Sequence, residues 1–254
     1  MTLGQKQYHK ISLTMGDLKE KLSTAELAAL SVSSFCASET NNLKKLAKAI
    51  NYEGIDSQAL NWLILGQESS ILRALTVRLL EFRRFVLKCQ NQNGVLGSIA
   101  TEVGAIISER EESRPFGLQV AKHMRDQASA HSSLDDAKKA INHSSPNTEV
   151  IFLDSENRHN SYYSIGDQVF IFDNLLQLSN DIHDIRGLIN EWHLWAMQTA
   201  DDLTVFHVRL MHALVLDRFP DNRVSNETIT FPNNLISDAT APIRLPVFYE
   251  NMPK

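Results

Sequence analysis

Apolar residues recur along this chain mostly in steps of three and four, the spacing that lines one side of an α-helix. The longest run starts at Ile182 and passes through Ile185, Ile189, Trp192, Ala196, Thr199, Leu203, Phe206, Leu210 and Ala213 before Pro220 stops it. A stripe so sustained predicts a long helix packed on other helices, inside a bundle or across a dimer. Asp201-Asp202 marks a point where it could divide in two.

The first half follows the same rule. Ser23 and Glu26 stand at capping-box spacing and open a helix predicted to run to about residue 52 through Leu27, Leu30, Leu43, Leu46 and Ile50. Gln58 to Gln90 carries Leu72, Leu75, Leu79, Phe82 and Val86 on one side, with Arg73, Arg78, Glu81, Arg83, Arg84 and Lys88 on the others. That charge distribution fits a solvated helix face better than a phosphate-binding patch. A short helix is expected over 97–109, a charged loop from Glu109 to Pro115, and a helix from about Phe116 through Val120, Met124 and Ala128. Asp135 to Ile141 adds one or two turns.

Residues 149–165 change texture. Val150 to Leu153 and Tyr162 to Ile165 favour strands, so a small β-hairpin is expected there, followed by a helix capped by Asp167. Pro232, Pro242, Pro246 and Pro253 predict an extended tail over 221–254, with Ile229 or Val247 free to pair with the hairpin. The expected organisation is a polar segment 1–22, one mainly α domain over 23–220, a multi-helix up-and-down bundle with a small β-hairpin, and the tail.

At 254 residues and 43% hydrophobic, the chain has ample material for a core. Lys and Arg number 25 against 30 Asp and Glu, a net charge of −5, so any polyanion must be met by a local feature rather than a global field. Cys36 and Cys89 read as reduced, partly buried thiols. Without a signal-like or membrane-length apolar run, a cytoplasmic protein with no membrane contact is expected.

Metal and cofactor chemistry finds little support. Di-iron bundles need Glu-x-x-His pairs on helices, and the pair Glu156 and His159 falls in the predicted hairpin loop. Glu191 with His193, and His207 with His212, sit at spacings that do not share an ideal helix face, so no metal and no cofactor is expected. No Gly-rich phosphate loop or nucleophile elbow occurs.

Arg125 and His131 are the candidates for chemistry. An imidazole can move a proton to or from a ribose hydroxyl, and a guanidinium can stabilise a crowded phosphorane, so the pair can cleave RNA without metal. Asp126 could hold either side chain. Six residues at about 100° each leave Arg125 and His131 about 120° apart on an ideal helix, so a bend or a second chain must bring them together. Arg186 and His193 form a second match of the same kind, favoured less because Gly187 offers no polar neighbour.

The segment Arg125-Asp126-Gln127-Ala128-Ser129-Ala130-His131 resembles the Arg-polar-x-x-x-x-His signature of the HEPN superfamily. The segments from Ser34 to Asn42, Phe152 to Glu156 and Asn160 to Tyr163 are similar to segments of uncharacterised bacterial HEPN-like proteins. This resemblance implies a helical bundle and, in catalytic members, a metal-independent endoribonuclease acting as a homodimer. Arg125 would then stabilise the phosphate of an RNA substrate, His131 would serve as acid/base, and Asp126 would orient them. It also implies a setting in bacterial stress, toxin–antitoxin or phage defence, with an antitoxin or regulatory protein as partner. The residues leave open a second reading, a non-catalytic dimeric bundle that binds a protein or nucleotide.

Overall fold

The computed structural model describes residues 4–49, 58–126, 134–144, 146, 150–153, 162–172, 175, 178, 185–219 and 224–231. Among them the protein is a mainly α bundle of about eight helices. Its elements are β1 (Gly4–Ile11), α1 (Met15–Lys21), α2 (Thr24–Ala49), α3 (Gln58–Cys89), α4 (Val95–Ser113), α5 (Pro115–Met124), α6 (Leu134–His143), β2 (Phe152–Leu153), β3 (Tyr162–Tyr163), α7 (Ser164–Asp167), α8 (Ile185–Met211) and β4 (Val224–Phe231).

The core is built from the predicted stripes. Leu72, Leu75, Leu79, Phe82 and Val86 of α3 meet Leu188, Ile189, Trp192, Ala196, Leu203, Phe206 and Leu210 of α8, all buried. The long stripe is therefore spent inside this chain and not on a second copy. Phe206 packs edge-on against Phe82 and Phe85, at ring separations of 5.6 and 6.0 Å, a geometry that suits the aromatic quadrupoles. One polar link crosses this core: the Trp192 indole donates to Thr76 Oγ1 at 2.7 Å, and Thr76 donates to the Leu72 carbonyl at 2.6 Å.

The capping box predicted at the start of α2 is present. Ser23 N donates to Glu26 Oε2 at 2.9 Å and Glu26 N donates to Ser23 Oγ at 3.3 Å. The same carboxylate takes Arg218 from beyond the far end of α8, at 2.5 Å. One acid thus caps α2 and ties it to the end of the bundle.

Several local expectations are corrected. Residues before 23 hold a strand and a helix, and α1 starts with its own capping box, Thr14 and Asp17. The strand β1 pairs antiparallel with β4 along its whole length, Gly4 against Phe231 through Ile11 against Val224. Ile229 accordingly lies opposite Lys6 and not against the β2 and β3 segments, while Val247 lies outside the described residues. Such long-range pairing leaves only a weak local signal. Phe152 pairs with Tyr163 and Leu153 with Tyr162; residues 154–161 between them lie outside the described residues.

The stretch Glu109 to Ser113, read as a loop, is helical, because two of its charges point inward to partners. Glu111 is bonded twice by Arg83, at 2.8 and 2.9 Å, and Arg110 is paired with Asp202. Arg114 alone separates α4 from α5, where Pro115 takes the first helical position, at which its missing N–H costs nothing. Asp201-Asp202 does not interrupt α8, since Lys44 pairs with the first carboxylate at 2.5 Å and Arg110 with the second. Asp167 closes α7 and does not cap a following helix; five residues in a wider π-type turn continue from it, Gln168–Phe172.

Candidate functional site

Helix α5 carries Arg125 at its C-terminal cap. Its N–H reaches both the Ala121 and Lys122 carbonyls, and the backbone widens into a π-type turn over 125–126. Such a widened turn is a recurrent feature of functional sites and lifts a side chain out of the regular helical register. The expected continuation of this helix through Ala128 lies outside the described residues. His131, with residues 127–133, lies outside the described residues, so the geometry of the proposed Arg/His pair is described at its arginine end only.

At that end the expected carboxylate partner is in place. Asp126 Oδ1 receives Arg125 Nε at 2.6 Å and one terminal guanidinium nitrogen at 2.5 Å. The Arg125 side chain is 27% exposed and that of Asp126 54%, so the pair stands at the surface with its guanidinium held in one orientation. His123, two residues earlier, is half-buried.

The direction of α5 relative to α8 follows from its contacts. Arg110 of α4 reaches Thr199 and Asp202, whereas a Cβ on Gly117 of α5 would stand 3.0 Å from the Glu191 carbonyl and 2.7 Å from Trp195 Cβ. Numbers rise along α4 and α5 as they fall along α8, so the segments are antiparallel. Arg125 therefore lies at the end of the bundle where α8 begins.

Between α4, α5 and α8 lies a shallow, open depression lined by Arg110, Glu111, Arg114, Glu191 and Trp195 among others. Its charges are mostly committed. Burial raises the Asp202 carboxyl above the usual carboxylate range even though Arg110 pulls it down. Arg110 also donates to Thr199 Oγ1 at 3.1 Å. These groups hold α4 to α8 and are read as structural.

A different pair joins α3 to α8. His193 Nδ1 lies 3.0 Å from Glu68 Oε1, with both side chains partly exposed, 35% and 25%. Neither residue stood out as a pair in the sequence, because 125 positions separate them. The cysteines, His207, Arg78 and Arg83 are committed to the fold. Burial raises both the Cys36 and Cys89 thiols, which keeps them protonated. Burial lowers His207, which bonds Ser33 at 3.1 Å. Arg78 is taken by Glu39 and Glu81, and Arg83 by Glu111, so the predicted basic face offers no cluster of unpaired arginines. Asn41 and Asn42 are exposed and line no interior pocket.

Among the described residues no group of three or more His, Cys, Asp or Glu is placed to hold a metal ion, and no helix is long and apolar enough to cross a membrane. Comparison with protein-family models, curated proteins and solved structures yields no match.

Proposed function

We propose that the protein is a HEPN-like, metal-independent endoribonuclease that acts as a homodimer, with Arg125 and His131 at its centre and Asp126 as the orienting group. The observation that supports this reading most directly is the Asp126 carboxylate holding Arg125 at a widened turn on the protein surface. A guanidinium fixed in this way loses little freedom on meeting a phosphate and can face it with its remaining N–H groups. Its place at one end of the bundle suits a cleft shared with a second copy, which would supply the convergence that six residues of helix do not. A role in bacterial stress, toxin–antitoxin or phage defence, under an antitoxin or regulatory protein, belongs to the same proposal.

The test is incubation of purified protein with mixed RNA in excess chelator, beside Arg125→Ala and His131→Ala. Cleavage by the wild type alone supports the reading; equal cleavage by all three, or by none, removes it. The same Arg125–Asp126 contact favours one alternative, a non-catalytic dimeric bundle that binds a protein or nucleotide, because a carboxylate at 2.5 Å offsets much of the positive charge a phosphate would seek. In that case the wild type leaves RNA intact.

A further inference from the structure

The depression between α4, α5 and α8 holds groups that the packing of the bundle leaves unmatched. Arg110 is committed to Asp202 and Thr199, and Glu111 to Arg83. The Arg114 guanidinium and the Glu191 carboxylate line the same depression, yet neither has a side-chain partner among the described residues and they do not pair with each other. Two opposite charges that share a depression without meeting leave a gap between them.

The helices bring these groups together for local reasons. Glu191 and Trp195 are four residues apart and share one side of α8, and Arg114 follows Arg110 by the same step at the end of α4. Gly117, three residues beyond Arg114, lets α5 close on α8, where an added Cβ would stand 2.7 Å from Trp195 Cβ.

Among the lining residues, the buried side-chain polar atoms without a hydrogen-bond partner are both donors. Trp195 is only 4% exposed and its indole N–H has no acceptor, and the buried Arg110 Nε has none. A buried indole N–H ordinarily finds a partner, as that of Trp192 does in Thr76. Helix α5 adds the positive end of a ten-residue helix that begins with no side-chain cap and no acidic residue in its first turn. Donors of this kind call for an acceptor, and an ionised carboxylate, with two oxygens that only accept, can take several at once.

The charges select the kind of carboxylate. Arg114 favours a single negative charge, whereas Glu191 opposes a second one and calls for a cation. A ligand with a carboxylate and an ammonium on neighbouring atoms answers both.

We propose that this depression binds the carboxylate–ammonium end of a small zwitterion of the α-amino acid class, its carboxylate taken by the Trp195 indole N–H and Arg114 and its ammonium by Glu191. Because the depression is shallow and open, the rest of the ligand lies in solvent. The site involves neither Arg125 nor His131 and stands or falls independently of the nuclease reading.

NMR of the tryptophan indole N–H groups tests this on the full chain. The Trp195 signal, assigned by its loss in Trp195→Phe, is followed as glycine, acetate or inorganic phosphate is added. The expected result is a saturable shift with glycine, with affinity roughly tenfold weaker for acetate, the loss of one charge-assisted contact. The Trp192 signal, already bonded to Thr76, stays in place and reports in every variant that the fold is intact. Arg114→Gln, at an exposed position, weakens glycine binding by about tenfold, and Arg114→Lys retains part of it. Glu191→Gln weakens glycine and not acetate. No saturable Trp195 shift with any probe, or glycine binding unchanged in Arg114→Gln, overturns the proposal. Acetate or phosphate binding as tightly as glycine overturns the assignment to a zwitterion. The shift persists in Arg125→Ala, so failure of the nuclease reading and failure of this site are told apart.

Discussion

Gly117→Ala probes the contact that sets α5 against α8 and so fixes where Arg125 stands. The added Cβ would lie 2.7 Å from Trp195 Cβ, 3.4 Å from Trp195 Cγ and 3.0 Å from the Glu191 carbonyl oxygen. Apolar carbons rest about 3.5–4.0 Å apart, so the two helices must separate by about 1 Å. Neither neighbour can swing aside, because one is a backbone atom and the other is attached directly to the backbone of a buried tryptophan. Overpacking of this kind costs about 1–3 kcal/mol, and the helix-propensity gain of alanine over glycine recovers at most about 1 kcal/mol. A net loss of about 1–2 kcal/mol lowers the melting temperature of a chain this size by roughly 2–8 °C. Gly104→Ala, in α4, is the matched control. Its Cβ would meet Gln90 Nε2 at 2.0 Å, the far end of a flexible side chain whose bond to the Ala100 carbonyl is a long 3.5 Å. Gln90 turns away at little cost, and Gly104→Ala is expected to be neutral or to stabilise by up to about 1 kcal/mol. Thermal and urea melts of the two variants decide the matter: Gly117→Ala as stable as Gly104→Ala would refute the proposed tightness of the α5–α8 contact.

Two further perturbations follow from buried polar contacts. Thr76→Val keeps the shape of the side chain but removes the acceptor of the Trp192 indole N–H, in a place fully closed to water; a loss of about 1–3 kcal/mol is expected in urea melts, with a changed near-ultraviolet tryptophan signal. Glu26, hydrogen-bonded first to Arg218 and then by the Ser23 cap, has its carboxyl held down at about 2 against an ordinary 4.5. Because the folded value is the lower one, this contact stabilises fully above about pH 5 and is lost as the pH falls towards 2. Water screens a contact at the surface, so the loss is on the order of 1 kcal/mol, well below the roughly 3 kcal/mol of a fully enclosed pair, and Arg218→Gln should flatten stability against pH in that window.

The main helices were legible because each must bury one side, and that requirement writes a period of three and four into the sequence. The Ser23–Glu26 cap was legible for the same kind of local reason, since both partners lie within one turn. Charged residues misled where their partners were distant: Arg110 and Glu111 looked like loop because nothing nearby announces Asp202 or Arg83. The candidate site divides likewise. Asp126 could be assigned to Arg125 from adjacency alone, whereas the pairing of Glu68 with His193 needed α3 and α8 to be brought side by side.

By itself, then, the order of residues determined that this chain makes long amphipathic helices, where α2 starts, and that the stripe through Trp192 must be covered. The tertiary structure decided what covers it, which charges are neutralised across helices, and that β1 finds its partner in β4 some two hundred residues away. The physical reason is one of range. Backbone hydrogen bonds and apolar periodicity act over a few residues, while the partners of a buried charge or an edge strand are chosen only when the packed helices bring remote segments within a few ångströms.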